Sequence, residues 1–186
     1  MDIKNTFGKF KGSFSKQKTL AVAIVVFVIV LFIRLFVLEV FFVSGDSMAP
    51  TILNGDLVFV NKLAYTKNEP TRGDIVVAIP RVYPGRVVKR IIGLPGEWFS
   101  IENERIVIRN SRTDAGVTID ESYLKFSATP AVGKTRTNID SKEYFALGDN
   151  RGESIDSREL GMIDLWSIKG RVVGVLRFNP LKYIGF

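Results

Sequence analysis

The sequence predicts a mainly β protein: a compact all-β domain of coiled antiparallel sheets behind one N-terminal transmembrane helix. Three observations carry this reading. An apolar run near the N-terminus, LAVAIVVFVIVLFI at residues 20–33, contains no polar residue. From residue 40 onward helical periodicity nearly vanishes, and short runs rich in β-branched residues recur between turn signals. The composition, 46% hydrophobic and 24% charged over 186 residues, is that of a folded chain with room for one domain and an anchor.

The first 18 residues hold Lys4, Lys9, Lys11, Lys16 and Lys18 against Asp2, so more than half of the net charge of +7 sits there. Such a tail flanking an apolar run reads as cytoplasmic by the positive-inside rule. Residues 19–39 are expected to form the anchor. The uninterrupted run is 14 residues, short of the roughly 20 that a span needs, and reaching that length takes in Arg34. A central arginine costs about 3 kcal/mol. The Val, Ile, Leu and Phe residues return about 4 to 7 kcal/mol, and an arginine near one end snorkels outward. The run is apolar on every side, unlike a surface helix. A cleavable signal peptide shares the basic start and apolar core, but an uncleaved single-pass anchor is the expectation, with residues 40–186 outside the cell membrane.

In the outer domain, DLVFVNKL follows Asn54-Gly55, DIVVAI follows Arg72-Gly73 and stops at Pro80, and RVVKRIIGL stops at Pro95-Gly96. EWFSIENERIVIRN reads as two strands around a turn at Glu102–Glu104. EYFALGDN ends in a turn, and GRVVGVLRF closes the fold. Residues 110–142 are polar and rich in Ser and Thr, and read as a lid, an insertion or a loop region.

The chain has no histidine and no cysteine. That excludes a Ser-His-Asp triad, a thiol nucleophile, HExxH zinc sites and disulfides. No metal and no cofactor is expected. No basic stripe interleaved with aromatics suggests nucleic acid. The stretch VSGDSMAPTI places Ser47 in a turn beside the membrane, where the default role of a turn serine is to satisfy local backbone. If Ser47 is a nucleophile, its base must be something other than imidazole. In VVKRII, strand alternation puts Val87, Lys89 and Ile91 on one face. Burial between apolar neighbours would lower the Lys89 pKa from near 10.4 toward the 7 to 8 of a working base, a shift of roughly 3 units. The ordinary fate of a strand lysine is instead to reach water. GDNRGESIDSRELG, residues 148–161, gathers Asp149, Arg151, Asp156, Arg158, Ser154 and Ser157. It reads either as a solvated loop or as a pinned network whose hydroxyl orients an amine.

Taken in order behind the anchor, SGDSMAPTI, GDLVFVNKLAY, RGDIVV, VVKRIIGLPGE and GDNRGESIDSRELG resemble the boxes of bacterial type I signal peptidases. These are membrane-bound Ser-Lys proteases that remove signal peptides, and the single anchor with GDSM resembles their Gram-positive-type members. The resemblance implies Ser47 as nucleophile and Lys89 as general base. It implies Ser154 hydrogen-bonded to Lys89, Asp156 and Arg158 as a supporting ion pair, and the Ser47 N–H in the oxyanion hole. Some members carry a serine two positions before the nucleophile. Here that position is Gly45, and its backbone or a water is expected to substitute. The implied substrates are secretory preproteins with small residues before the cut, bound as an added strand. Met48 and Val87 are expected around the residue before the cut, and Phe41, Val43 and Val88 around the pocket two residues earlier. Phospholipids are the other expected partner. A non-catalytic membrane-anchored binding module on the same scaffold, and a self-cleaving repressor-type Ser-Lys protease, are the alternatives.

Overall fold

The computed structural model describes residues 16–124 and 128–186. The expected basic tail falls mostly on residues 1–15, outside the described residues. The chain divides after Val37 into two compact units.

In the first unit, helix α1 (Lys16–Phe32) runs on into a π-helical turn (Ile33–Val37). Lys18–Val37 is long and apolar enough to cross a membrane, with mean hydropathy 3.2 and none of it buried. The span was expected to reach residue 39. Instead Leu38 and Glu39 open strand β1 (Leu38–Phe42). Apolar residues continue on either side of Glu39 through Val43, and pairing with a neighbouring strand is what distinguishes a strand from a helix there.

The second unit is two antiparallel sheets. The sequence of the larger is β1, β2 (Leu57–Asn61), β11 (Ile168–Phe178), β3 (Ile75–Ala78), β4 (Val87–Gly93), β9 (Glu143–Leu147) and β10 (Ile163–Asp164), with β12 (Leu181–Gly185) paired to β11. The smaller runs β7 (Val117–Thr118), β6 (Arg105–Arg109), β5 (Trp98–Glu102) and β8 (Arg136–Asn138). The β5–β6 hairpin turns on Asn103 and Glu104, both at positive φ, as a two-residue hairpin requires. The expected strands all form, β1, β7, β8 and β10 join them, and β12 lies beyond the run expected to close the fold. Its side chains are mostly exposed, so no buried face marks it in sequence. Residues 110–142 supply β7 and β8 and bury Leu124 and Ile139.

Long strand β11 links the two halves of the large sheet, pairing with β2, β3 and β12 and shifting register twice. Core side chains fall into three clusters. One joins Val43, Met48, Ile52, Val58, Ile75 and Val175, a second surrounds Phe99 and Phe145, and a third joins Val76, Ile91 and Tyr144. Alternation on β4 holds: Val88 packs against the first cluster, Val87 against the third.

Candidate active site

Ser47 sits in the turn that follows β1. Val43 N–H donates to the Asp56 carbonyl and Gly55 N–H to that of Val43, which closes the loop at its base. Ala49 N–H donates to Asp46 O and Ile52 N–H to Met48 O, so the chain winds tightly around Ser47. Met48 and Ile52 are buried and pin this winding to the core. Gly45 lies at φ +100°, a conformation that favours glycine, and nothing lies within 4 Å of where its β-carbon would point. Its N–H donates to Asn54 Oδ1 at 3.4 Å, at the weak limit of a hydrogen bond.

Lys89 is the third residue of β4, paired with Val76 of β3 and only 3% exposed. Its Nζ donates to Ser47 Oγ at 2.8 Å. Burial pulls its pKa down from 10.5 to about 8, and the nearby Arg158 pulls the same way. Asp156 and Asp149 oppose this through their negative charge.

The loop at 148–161 closes over the turn. Asn150 N–H donates to the Ser47 carbonyl at 3.0 Å, and Asn150 Nδ2 to Asp46 O at 3.2 Å. Asp156 caps the one-turn helix α2 (Ser157–Leu160). It accepts from Arg158 Nε at 2.8 Å and Nη2 at 2.9 Å, and from Gly148 N–H at 3.0 Å. Ser154 is buried, but its Oγ has no hydrogen-bond partner among the described residues. The expected Ser154–Lys89 hydrogen bond is therefore not made here. Ser154 instead packs over Gly148, where a β-carbon would collide with both its side chain and the Ser47 carbonyl.

A cleft of about 470 Å³ opens at the dyad. Phe41, Val43, Gly45, Ser47 and Met48 line one wall and Val87, Val88 and Lys89 the other, so every residue expected to meet substrate reaches it. Val43 and Met48 also belong to the core, and Phe41 and Val88 pack against it. Two strand edges face outward: β1 pairs only with β2, and the β4–β9 pairing begins at Arg90, leaving Val87–Lys89 unpaired on that side. Tyr83, Ile155 and Leu160 add lining that the sequence did not single out. Arg90 was also missed. Its guanidinium grips Asp149 through two hydrogen bonds, of 2.9 and 2.6 Å, and Thr51 donates to the same carboxylate at 2.5 Å. Its charge beside Lys89 was the available signal; its partner lies 59 residues on, out of reach of local pattern.

The sequence model of the family described as signal peptidase, peptidase S26, matches residues 16–177. The chain belongs to the signal peptidase family. It is similar to signal peptidase I of Bacillus licheniformis, 36% identical with 96% of this chain and 94% of the relative covered. Signal peptidase I P of Bacillus subtilis subsp. natto is 33% identical, covering 87% and 88%. Signal peptidase I of Leptolyngbya laminosa is 34% identical, covering 90% and 80%. A crystal structure of a signal peptidase I from Enterococcus faecalis V583 covers 56% of this chain and 97% of its own, at 31% identity and a TM-score of 0.47. This signal peptidase is a serine endopeptidase that removes signal peptides from preproteins. Its N-terminal apolar helix fits membrane anchoring.

Proposed function

We propose that this signal peptidase works through a Ser47–Lys89 dyad. The observation that carries the reading is the buried amine 2.8 Å from the serine hydroxyl. With a pKa of about 8, a useful share of Lys89 is neutral near physiological pH. The neutral amine accepts the Ser47 proton as Oγ attacks the scissile carbonyl. The resulting ammonium then protonates the departing amine, leaving an acyl-serine. Lys89, neutral again, activates the water that hydrolyses the acyl-serine and frees Ser47. The Ser47 N–H serves the oxyanion. The open space beside Gly45 suits a water in place of a serine hydroxyl. Asp156 and Arg158 hold the loop behind the lysine.

Ser154 is the orienting hydroxyl in this reading. A buried hydroxyl without a partner is costly. One that gains the Lys89 amine once Ser47 is acylated has a reason to be kept. The substrate adds a strand between the free edge of β1 and Val87–Lys89. Met48 and Val87 would surround the side chain before the cut, and Phe41, Val43 and Val88 the one two residues earlier. The lysine-rich tail lies in the cytoplasm and the β domain outside, where exposed Phe42 meets membrane phospholipid.

Cleavage of a preprotein in detergent tests the dyad. Ser47→Ala and Lys89→Ala should each lower kcat by about 10⁴ or more, in line with loss of a nucleophile or its base. A variant that keeps the wild-type rate would sink the reading.

A further inference from the structure

Residues 110–142 have no part in the chemistry above, yet three of their side chains are tied into it. We propose that Glu121, Tyr123 and Thr129 are positioning residues for the dyad: they hold two arginines, Arg151 and Arg90, that lock the Ser47 turn against β4. The proposal rests on the Ser47–Lys89 reading and adds to it.

The contacts run in one direction. Glu121 is buried and meets Arg151 with both carboxylate oxygens. Thr129, fully buried, accepts from the same guanidinium. Arg151 Nε in turn donates to Gly148 O at 3.0 Å, two residues before the Asn150 N–H that holds the Ser47 carbonyl. Tyr123 donates to Glu121 at 2.6 Å, and its ring lies 4.0 Å from the Arg90 guanidinium. Arg90 follows Lys89 in the chain and clamps Asp149, which accepts from Thr51 in the nucleophile turn. The segment therefore reaches Ser47 by two routes and the neighbour of Lys89 by one.

Packing alone does not account for this arrangement. A buried ion pair costs so much desolvation that apolar residues of similar volume often serve stability as well or better. What charged, bidentate contacts add is geometry. Geometry is what the dyad needs, because a misplacement of about 1 Å can cost 10²-fold in rate. Neither Glu121, Tyr123 nor Thr129 lines the cleft, so their effect must pass through other residues.

The charged groups acting on Lys89 are Asp156, Asp149 and Arg158. Loosening Arg90 from Asp149 leaves that negative charge less neutralised and favours the ammonium. The test is kcat, KM and the pH midpoint of kcat/KM, measured on the full chain in detergent with a preprotein substrate. Tyr123→Leu should lower kcat about tenfold with KM within about twofold, and move the midpoint upward. Tyr123→Phe, which keeps the ring on Arg90, should retain the wild-type midpoint. Glu121→Gln should also lower kcat, with KM within about twofold. Variants that melt earlier yet keep wild-type kcat and midpoint while folded overturn the proposal, as does a loss expressed in KM alone. Should Tyr123→Leu not fold, Glu121→Gln decides by itself, since it preserves side-chain shape. Lys89→Ala run alongside separates the two claims. If it stays active the dyad fails; if it is dead while Glu121→Gln behaves as wild type, only the positioning role fails.

Discussion

Lys89 is where stability and function pull apart. In the unfolded chain it keeps its proton up to about its ordinary value of 10.5; in the fold it loses it near 8. Between those values the unfolded state binds more protons, so stability rises with pH across this window. The cost of burying the lysine is fully present below pH 8 and gone above 10.5. It amounts to about 3 kcal/mol at neutral pH. Lys89→Met should therefore abolish cleavage while stabilising the fold by up to that amount at pH 7, with the gain vanishing toward pH 10.5 in denaturant titrations. In the active enzyme, kcat/KM should climb with pH through a midpoint of about 8, as the amine loses its proton. Ser154 makes a different prediction. Ser154→Ala removes a buried hydroxyl without a partner, so melting should be unchanged or slightly higher. If Ser154 orients the amine, kcat should nevertheless fall with KM unchanged. Wild-type kcat in that variant would remove Ser154 from the mechanism.

At the scale of elements, the decisive contact is between the turn carrying Ser47 and the loop at 148–161. Gly148 permits it: with no side chain, the loop lies directly on the Ser47 carbonyl and under Ser154. Gly148→Ala should cost about 1 to 3 kcal/mol by overpacking and, on the proposed mechanism, lower kcat as well, because the collision is with the Ser47 carbonyl. Thermal melting and cleavage assays on the same preparation check both halves. Asp156 closes the other end of the loop. Asp156→Ala would strip the α2 cap and leave Arg158 buried without its partner, a loss of about 3 to 5 kcal/mol. Strand β4 shows how much of an element is legible beforehand. It runs Val87–Gly93 between the turn pairs Pro84-Gly85 and Pro95-Gly96, and its alternation correctly separates Val87 from Val88. The loop's partners were not legible, since nothing local in GDNRGESIDSRELG indicates that Glu121 and Arg90 await it.

For the whole molecule, the curl of one antiparallel sheet brings Ser47 and Lys89 together across 42 residues of sequence. β1 and β4 are not neighbours; β2, β11 and β3 separate them in the sheet, and their edges face the same cleft. The second unit, Leu38–Phe186, holds all three core clusters and both sheets. A chain lacking residues 1–37 should keep cooperative unfolding and the β-rich circular dichroism spectrum, while losing its partition into membrane on alkaline extraction. A truncated chain that fails to fold would show that the β domain needs the anchor.

The sequence by itself indicated strands β2–β6, β9 and β11, the apolar helix and the chemistry left open by the absence of histidine and cysteine, because turn residues, hydropathy and residue type act locally. It also named Ser47 and Lys89, through the ordered boxes of a family rather than through any contact it could display. Tertiary structure alone decided that Lys89 is buried, that Ser154 Oγ is left without a partner among the described residues, and that Glu121, Tyr123 and Thr129 grip the arginines beside Ser47 and Lys89. Each of these depends on groups tens of residues apart being brought out of water together. Burial and charge pairing are properties of that meeting, and no single segment carries them.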